Sequence, residues 1–266
     1  MFTSLILGES HTGKTQSLGT LPGRTIIFNL EPPDNITSLK VPYQECLRLK
    51  AFWEEKKEIG RILVVQYGAL PREISLQAAA NPQKQMVQAL IEDLNTVPKH
   101  SGEVDNLAIE ALGAFGEGVL DFIVASNNRK DTQIQDYKVA RAKLQEILGA
   151  TFSLGKNVIL TGHLQSEKDE ITGRGRITPL IWGKDLPSSI PRLFGEVFQS
   201  TVIADGKGGI AYKWLTQPDP AGFLTFLGSR KLRGLTKYVE QDFGYLGKLQ
   251  EEREKELEKL KGGEKK

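Results

Sequence analysis

Sulfur, charge imbalance and long apolar runs are all scarce in this chain. Cys46 is the single cysteine among 266 residues, so no intrachain disulfide can form. A reducing compartment such as the cytoplasm fits that usage. The 35 basic and 33 acidic side chains leave a net charge of only +2. Composition therefore gives no reason to expect a nucleic-acid partner, and any surface for one must be local. No apolar run approaches the length of a membrane span. A strand-like segment starts at the first residues, which is expected to leave no room for a signal peptide or a separate N-terminal domain. No internal repeat is visible. What remains is ordinary globular composition, 39% hydrophobic and 26% charged, enough for one sizeable core.

Against this plain background one short string stands out. Gly8-Glu9-Ser10-His11-Thr12-Gly13-Lys14-Thr15 fits the phosphate-binding pattern GxxxxGK[ST] at every defined position. The apolar run Ser4–Leu7 precedes it and reads as a strand, the context the pattern requires. Two glycines let the backbone turn sharply and bring its N–H groups close to a polyphosphate. A helix starting near Gly13 adds free N–H groups and its positive end. Lys14 is a point charge for the β- and γ-phosphates, and the Thr15 hydroxyl is a Mg²⁺ ligand. His11 reads as loop filler. The expected nucleotide-binding set is Gly8 to Thr15 with the following Gln16, and the expected ligands are ATP and Mg²⁺.

Short apolar runs alternate with longer helical patterns, which predicts an α/β fold with a largely parallel sheet. Strands are expected at Ser4–Leu7, Thr25–Leu30, Arg61–Gln66, Leu107–Ile109, Asn157–Thr161, Gln199–Ile203, Ile210–Leu215 and Phe223–Leu227. Helices are expected at Lys14–Leu18, Gln44–Ile59, Gln83–Val97, Gly116–Ser126, Gln135–Leu154 and from about Lys248. Turns such as Asp205-Gly206-Lys207-Gly208-Gly209 separate the last three strands, which read as an antiparallel extension of the parallel core. One domain is expected over residues 1–246. Residues 247–266 read as a charged helical tail in which Leu249, Leu257 and Leu260 form only a weak apolar stripe.

Nucleotide hydrolysis needs an acid near Mg²⁺, a group that orients or activates water, and a sensor of the γ-phosphate. In open α/β sheets such groups lie at the carboxyl ends of strands. Glu31 ends the run Thr25–Leu30, and Pro32-Pro33 terminate the strand behind it. A carboxylate there can polarise attacking water; as a bland alternative it is a solvated turn acid. Glu110 follows Leu107–Ile109 and is the best-placed acid on the Mg²⁺ side. Asp121, within Val119–Val124, is its rival if that segment is a buried strand. His163 follows Asn157–Gly162, where a polar side chain can report the loss of a γ-phosphate. Arg230, Lys231 and Arg233 follow the last apolar run; they are a solvated cation cluster or a finger reaching a neighbouring subunit's nucleotide. Residues 166–178 look like a hairpin with a Gly-rich basic tip, where Arg174 and Arg176 could meet nucleic-acid phosphates. No aromatic residue sits at that tip to stack on bases.

In this order the parts resemble the compact, phage-encoded RecA-like nucleotide-binding proteins often labelled AAA family ATPases, some of which are single-strand annealing recombinases. The resemblance spans about residues 3 to 246. It rests on the N-terminal P-loop, Leu30-Glu31, Ala108-Ile109-Glu110-Ala111-Leu112 and Gln135-Asp136-Tyr137. It also rests on Val158-Ile159-Leu160-Thr161-Gly162-His163, on Gly183–Leu186 followed by Ile190–Phe194, and on Gly228-Ser229-Arg230. It implies a RecA-like P-loop core and Glu31 as catalytic carboxylate. It further implies Glu110 as the Walker B acid, His163 as γ-phosphate sensor and Arg230 as a finger acting in trans. It places Gly116–Ser126 in a helix and so removes Asp121 from the site. The implied protein is an ATP hydrolase acting on single-stranded DNA in phage-type recombination, annealing or replication. It would be a homo-oligomer with nucleotide between subunits, in the host cytoplasm and away from membranes. Two departures stand out. The family's usual Walker B pair is Asp-Ser, here Glu110-Ala111, and Glu31 precedes Pro-Pro where small residues are usual. The longer Glu110 side chain shifts the carboxylate by about one C–C bond, which points to slow hydrolysis with nucleotide binding retained. The alternative is a nucleotide-dependent oligomeric scaffold or switch that does not bind DNA. A small-molecule phosphotransferase ranks lower, because no lid segment is visible.

Overall fold

A computed structural model describes residues 1–68, 82–168, 175–218, 226–232 and 235–263. Its strands are β1 (Thr3–Leu7), β2 (Thr25–Asn29), β3 (Gln44–Cys46), β4 (Ile62–Gln66), β5 (Asn106–Glu110) and β6 (Asn157–Gly162). They continue with β7 (Leu164–Lys168), β8 (Gly175–Pro179), β9 (Glu196–Ala204), β10 (Ile210–Leu215), β11 (Gly228–Ser229) and β12 (Tyr238–Glu240). The helices are α1 (Lys14–Leu18), α2 (Leu49–Glu54), α3 (Pro82–Leu94), α4 (Leu112–Ser126), α5 (Ile134–Ser153), α6 (Leu186–Ser189) and α7 (Phe243–Gly263). None of the described helices is long and apolar enough to cross a membrane.

The main sheet runs β12-β10-β9-β1-β6-β5-β2-β4-β3, with β11 also paired to β9. From β9 to β3 every pairing is parallel, whereas β10, β11 and β12 add antiparallel contacts. The fold is therefore α/β, a parallel core with an antiparallel extension. Strand β9 was expected within that extension, but it pairs parallel with β1 and only its other edge is antiparallel.

The central parallel strands are largely apolar because both sheet faces are covered there. Alternate residues divide between two clusters. Leu5, Leu7, Ile26, Phe28, Leu63, Val65, Leu107 and Ile109 pack with Leu90, Phe115 and Leu144 of the long helices. Ile6, Ile27, Val64, Ala108 and Ile159 pack on the other face with Leu18, Trp214, Phe243 and Leu246. Burial of each such large side chain stabilises the fold by about 2 kcal/mol. Asp93 of α3 ties the sheet edge to this frame. Its carboxylate accepts bonds from the Leu49 and Lys50 N–H groups (both 3.0 Å) and from the Tyr67 hydroxyl (2.6 Å).

Four sequence expectations need correction. The segment expected as one helix from Gln44 to Ile59 is a short strand, Gln44–Cys46, followed by a short helix, Leu49–Glu54. Polar Gln44 and Glu45 sit on the sheet's edge strand, which explains why no apolar run announced it. The helix expected from Gly116 begins at Leu112, and it does contain Asp121. The C-terminal helix expected from about Lys248 begins at Phe243, because Phe243 and Leu246 are core residues. Of the strand expected at Phe223–Leu227, residues 223–225 lie outside the described residues, and Phe226 and Leu227 precede the short β11 instead of forming a strand.

Candidate active site

Sheet register brings the strand ends together. Strand β6 lies between β1 and β5, pairing Leu7 with Gly162 and Ile109 with Leu160. On the far side of β5, Glu110 pairs with Asn29 of β2. Residues just past these pairs are Gly8, His163, Ala111 and the Leu30-Glu31 step. The Gly8 N–H donates to the Gly162 carbonyl (3.1 Å), and the Leu30 N–H donates to the Glu110 carbonyl (2.6 Å). Four loops therefore meet at one edge of the sheet. Between them lies a cleft of about 420 Å³, lined among others by Ser10 to Gln16, Glu31, Glu110 and His163.

The loop after β1 is shaped for close backbone approach. A side chain at Gly8 would press on the Ser200 carbonyl, and Gly13 has a left-handed φ of +90°. His11 also takes positive φ, 61°, as a tolerated turn residue. The Thr12 hydroxyl donates to the Glu9 carbonyl (2.8 Å), closing the loop on itself. The Lys14 ammonium donates to the Gly8 and Glu9 carbonyls (3.1 and 2.6 Å), so it is curled along the inner rim of the loop. Burial lowers its pKa, while the charges of Glu110, Glu31 and Glu9 oppose that shift.

Glu110 is 2% exposed. Its Oε1 accepts from the Thr15 hydroxyl at 2.6 Å. Among the described residues its Oε2 has no hydrogen-bond partner, and neither does the nearby buried Thr161 hydroxyl. Burial pushes the Glu110 carboxyl up to about 7, with the Thr15 hydroxyl working against it. A buried carboxylate oxygen left without a partner is costly unless a cation or water meets it. Thr15 and Glu110 together fit a Mg²⁺ ion that brings phosphates and water with it. Among the described residues no group of three or more His, Cys, Asp or Glu forms a metal cage, and Mg²⁺ at phosphates does not require one.

Glu31 and His163 face each other across the cleft, with His163 Nε2 3.7 Å from Glu31 Oε1. Asn35 Nδ2 donates to Glu31 Oε2 (2.6 Å), and Asn29 receives the Glu31 N–H on its Oδ1 (3.2 Å). Glu31 is thus held from two sides. Burial lowers the His163 pKa, the Lys14 charge adds to that, and Glu31 opposes it. His163 is therefore neutral at pH 7 and available as hydrogen-bond donor or acceptor.

Asn35 and Tyr212, which also line the cleft, were not singled out by sequence. Asn35 lies in the 3-10 turn Pro33–Ser38, where the Pro-Pro-Asp-Asn string marks a tight turn. Tyr212 had no sequence signal, being one residue of a half-exposed antiparallel strand.

Arg230 and Arg176 are not in this cleft. The Arg230 N–H donates to the Gly195 carbonyl (2.9 Å), next to the residue that pairs with Ser4. That is the starting end of the parallel strands, opposite the loop at Gly8. Its guanidinium donates to the Arg192 carbonyl (2.7 Å). Arg230 therefore has no reach to the phosphate loop of its own chain. Arg176 sits on β8 of the predicted hairpin, β7–β8, and pairs with Glu167 at 3.1 Å. Arg174 and Arg233 lie outside the described residues.

No curated protein matches this sequence. Among solved structures, a KaiC-like protein from the hyperthermophilic archaeon Pyrococcus horikoshii is 13% identical. That alignment covers 80% of this chain and 78% of the other, with a TM-score of 0.41. The RadB recombinase is 11% identical over 81% of this chain and 87% of its own, with a TM-score of 0.39. The flagellar accessory protein FlaH from Methanocaldococcus jannaschii is 11% identical over 90% and 83%, with a TM-score of 0.41. Likeness at this level says nothing about ligand or role. The sequence pattern of the AAA domain family matches residues 2–216, from just before β1 to just past β10, and the chain belongs to that family.

Proposed function

We propose that this protein is an ATP hydrolase of RecA-like type that works on single-stranded DNA, in phage-type recombination, annealing or replication. The observation that supports the ATPase reading is the convergence of Lys14, Thr15, Glu31, Glu110 and His163 on one cleft. Lys14 leaves the Gly8 and Glu9 carbonyls to neutralise the β- and γ-phosphates. Thr15 and Glu110 hold Mg²⁺, whose charge stabilises the phosphates when bound. Glu31, fixed by Asn35, polarises the attacking water, and neutral His163 hydrogen-bonds the γ-phosphate and reports its loss. Arg230 lies at the other end of the strands from its own cleft; its role in this reading is in trans, at the nucleotide of a neighbouring copy in a homo-oligomer. Arg176 of β8, with Arg174 two positions earlier in the sequence, meets DNA phosphates.

The test is ATP turnover with and without single-stranded oligonucleotide at low salt, for wild type, Lys14→Ala and Arg174→Ala/Arg176→Ala. Stimulation by DNA that the double variant loses supports the proposal. Turnover unaffected by DNA, or unchanged in Lys14→Ala, refutes it. One observation favours a slower, switch-like protein instead. Burial raises the Glu110 carboxyl to about 7, so it competes less well for a cation near neutral pH than an exposed carboxylate would. That reading expects ATP-dependent oligomerisation that DNA does not alter, measured by light scattering.

A further inference from the structure

The phosphate loop is gripped from outside its own motif. Gln241 follows β12, and its Nε2 donates to the Thr12 carbonyl (2.9 Å), to Ser200 Oγ (2.7 Å) and to the Lys213 carbonyl (2.9 Å). An amide NH₂ has two hydrogens, so three acceptors share them and the group is saturated. Ser200 Oγ of β9 donates to the same Thr12 carbonyl at 2.7 Å. That carbonyl, inside GxxxxGK[ST], thus accepts two bonds from residues outside it. Gln241 and Tyr212 also pack directly on Gly13. A Cβ there would lie 2.6 Å from Gln241 Oε1 and 3.0 Å from Tyr212 Cδ1.

In a trans peptide the carbonyl and the following N–H point in opposite directions. Holding the Thr12 carbonyl against Ser200 and Gln241 turns the Gly13 N–H away from them. Gly13 lines the cleft and Gln241 does not. We propose that Gln241, with Ser200, is a positioning residue for phosphate binding, presenting the Gly13 N–H to a nucleoside polyphosphate. This rests on reading the cleft as a nucleotide site. Gln241 lies beyond the family match, which ends at residue 216. The phosphate loop therefore depends on a part of the chain that the family pattern does not include.

The same few residues anchor the C-terminal helix. Asp242 Oδ1 accepts from the Gly244 and Tyr245 N–H groups (2.7 and 3.2 Å), and the Phe243 N–H donates to the Thr20 hydroxyl (2.9 Å). Undocking the start of α7 withdraws Gln241 from the loop. By linkage, a polyphosphate that favours the gripped loop favours the docked helix.

Gln241→Met keeps side-chain length and removes the donors; Ser200→Ala removes the bond to the Thr12 carbonyl and the one accepted from Gln241, with little change of volume. Calorimetry with Mg-pyrophosphate and with MgATP separates a loop effect from a nucleobase effect. Both affinities are expected to fall by about tenfold in Gln241→Met and about threefold in Ser200→Ala, from one to two net hydrogen bonds. Turnover at saturating ATP falls less than affinity. Amide exchange at Gly13 and Lys14 in the nucleotide-free protein is expected to quicken in both variants. Unchanged pyrophosphate affinity in variants that remain folded overturns the proposal, as does unchanged exchange. If Gln241→Met does not fold, Ser200→Ala alone decides. If wild type binds neither probe, the nucleotide reading fails, and the Gly13–Lys14 exchange still decides whether the grip exists.

Discussion

Glu110 makes stability depend on pH in a direction opposite to that of most carboxylates. Its ordinary value of 4.5 rises to about 7 in the folded protein because burial penalises the charged form. The folded state therefore binds this proton more tightly than the unfolded chain. Below about pH 4.5 both states are protonated and the group does not discriminate. Between about 4.5 and 7 the unfolded chain releases the proton first, and stability falls as pH rises. Above about 7 the loss is complete. At about 1.4 kcal/mol per tenfold, the whole window is worth about 3 kcal/mol. Glu110→Gln keeps the shape and an acceptor for Thr15 but cannot ionise. The assay is urea unfolding in EDTA without nucleotide, at steps from pH 5 to 8, for wild type and Glu110→Gln. The stability of wild type minus that of the variant should drop by about 2–3 kcal/mol across that range, well above extrapolation error. Parallel pH profiles would mean that Glu110 is ionised in a wetter site than its contacts indicate, and the reasoning would fail.

Other outcomes follow from the same contacts. Lys14→Ala should weaken MgATP binding by about 10- to 100-fold in a filter or calorimetric assay, because it removes charge-assisted bonds to phosphate. Asp93→Ala strands two backbone N–H groups and the Tyr67 hydroxyl. It should cost about 3–5 kcal/mol in denaturant unfolding. Gly68→Ala should destabilise by about 1–3 kcal/mol, because its Cβ would overlap the Glu31 carbonyl. The same shift should lower ATP turnover by moving Glu31.

Sequence carried this site where the signal was local. The loop from Gly8 to Thr15 is contiguous, and its chemistry is written in its spacing. Glu31 and His163 were legible because each closes an apolar run, the first before Pro-Pro and the second after Gly162. Glu110 was harder. Its apolar run, Leu107–Ile109, is only three residues long, and what sets it apart in the fold is its burial and its bond to Thr15, 95 residues away. The brief strands Gln44–Cys46 and Tyr238–Glu240 were missed because three edge residues carry no periodicity. Gln241 was invisible for a different reason: its partner Thr12 is 229 positions earlier, and no spacing rule reaches that far. Arg230 was legible as a cation, but not as one on the opposite end of the sheet.

Only His163 separates β6 from β7. The first strand belongs to the main sheet and the second to the β7–β8 hairpin, whose base is closed by the Leu180 N–H on the His163 carbonyl (2.8 Å). The residue is a pivot with no slack on either side. Any tilt of the hairpin rotates the His163 backbone directly, and with it the imidazole facing Glu31. The hairpin and the cleft thus share one residue as their joint, with no loop between the two strands that meet there.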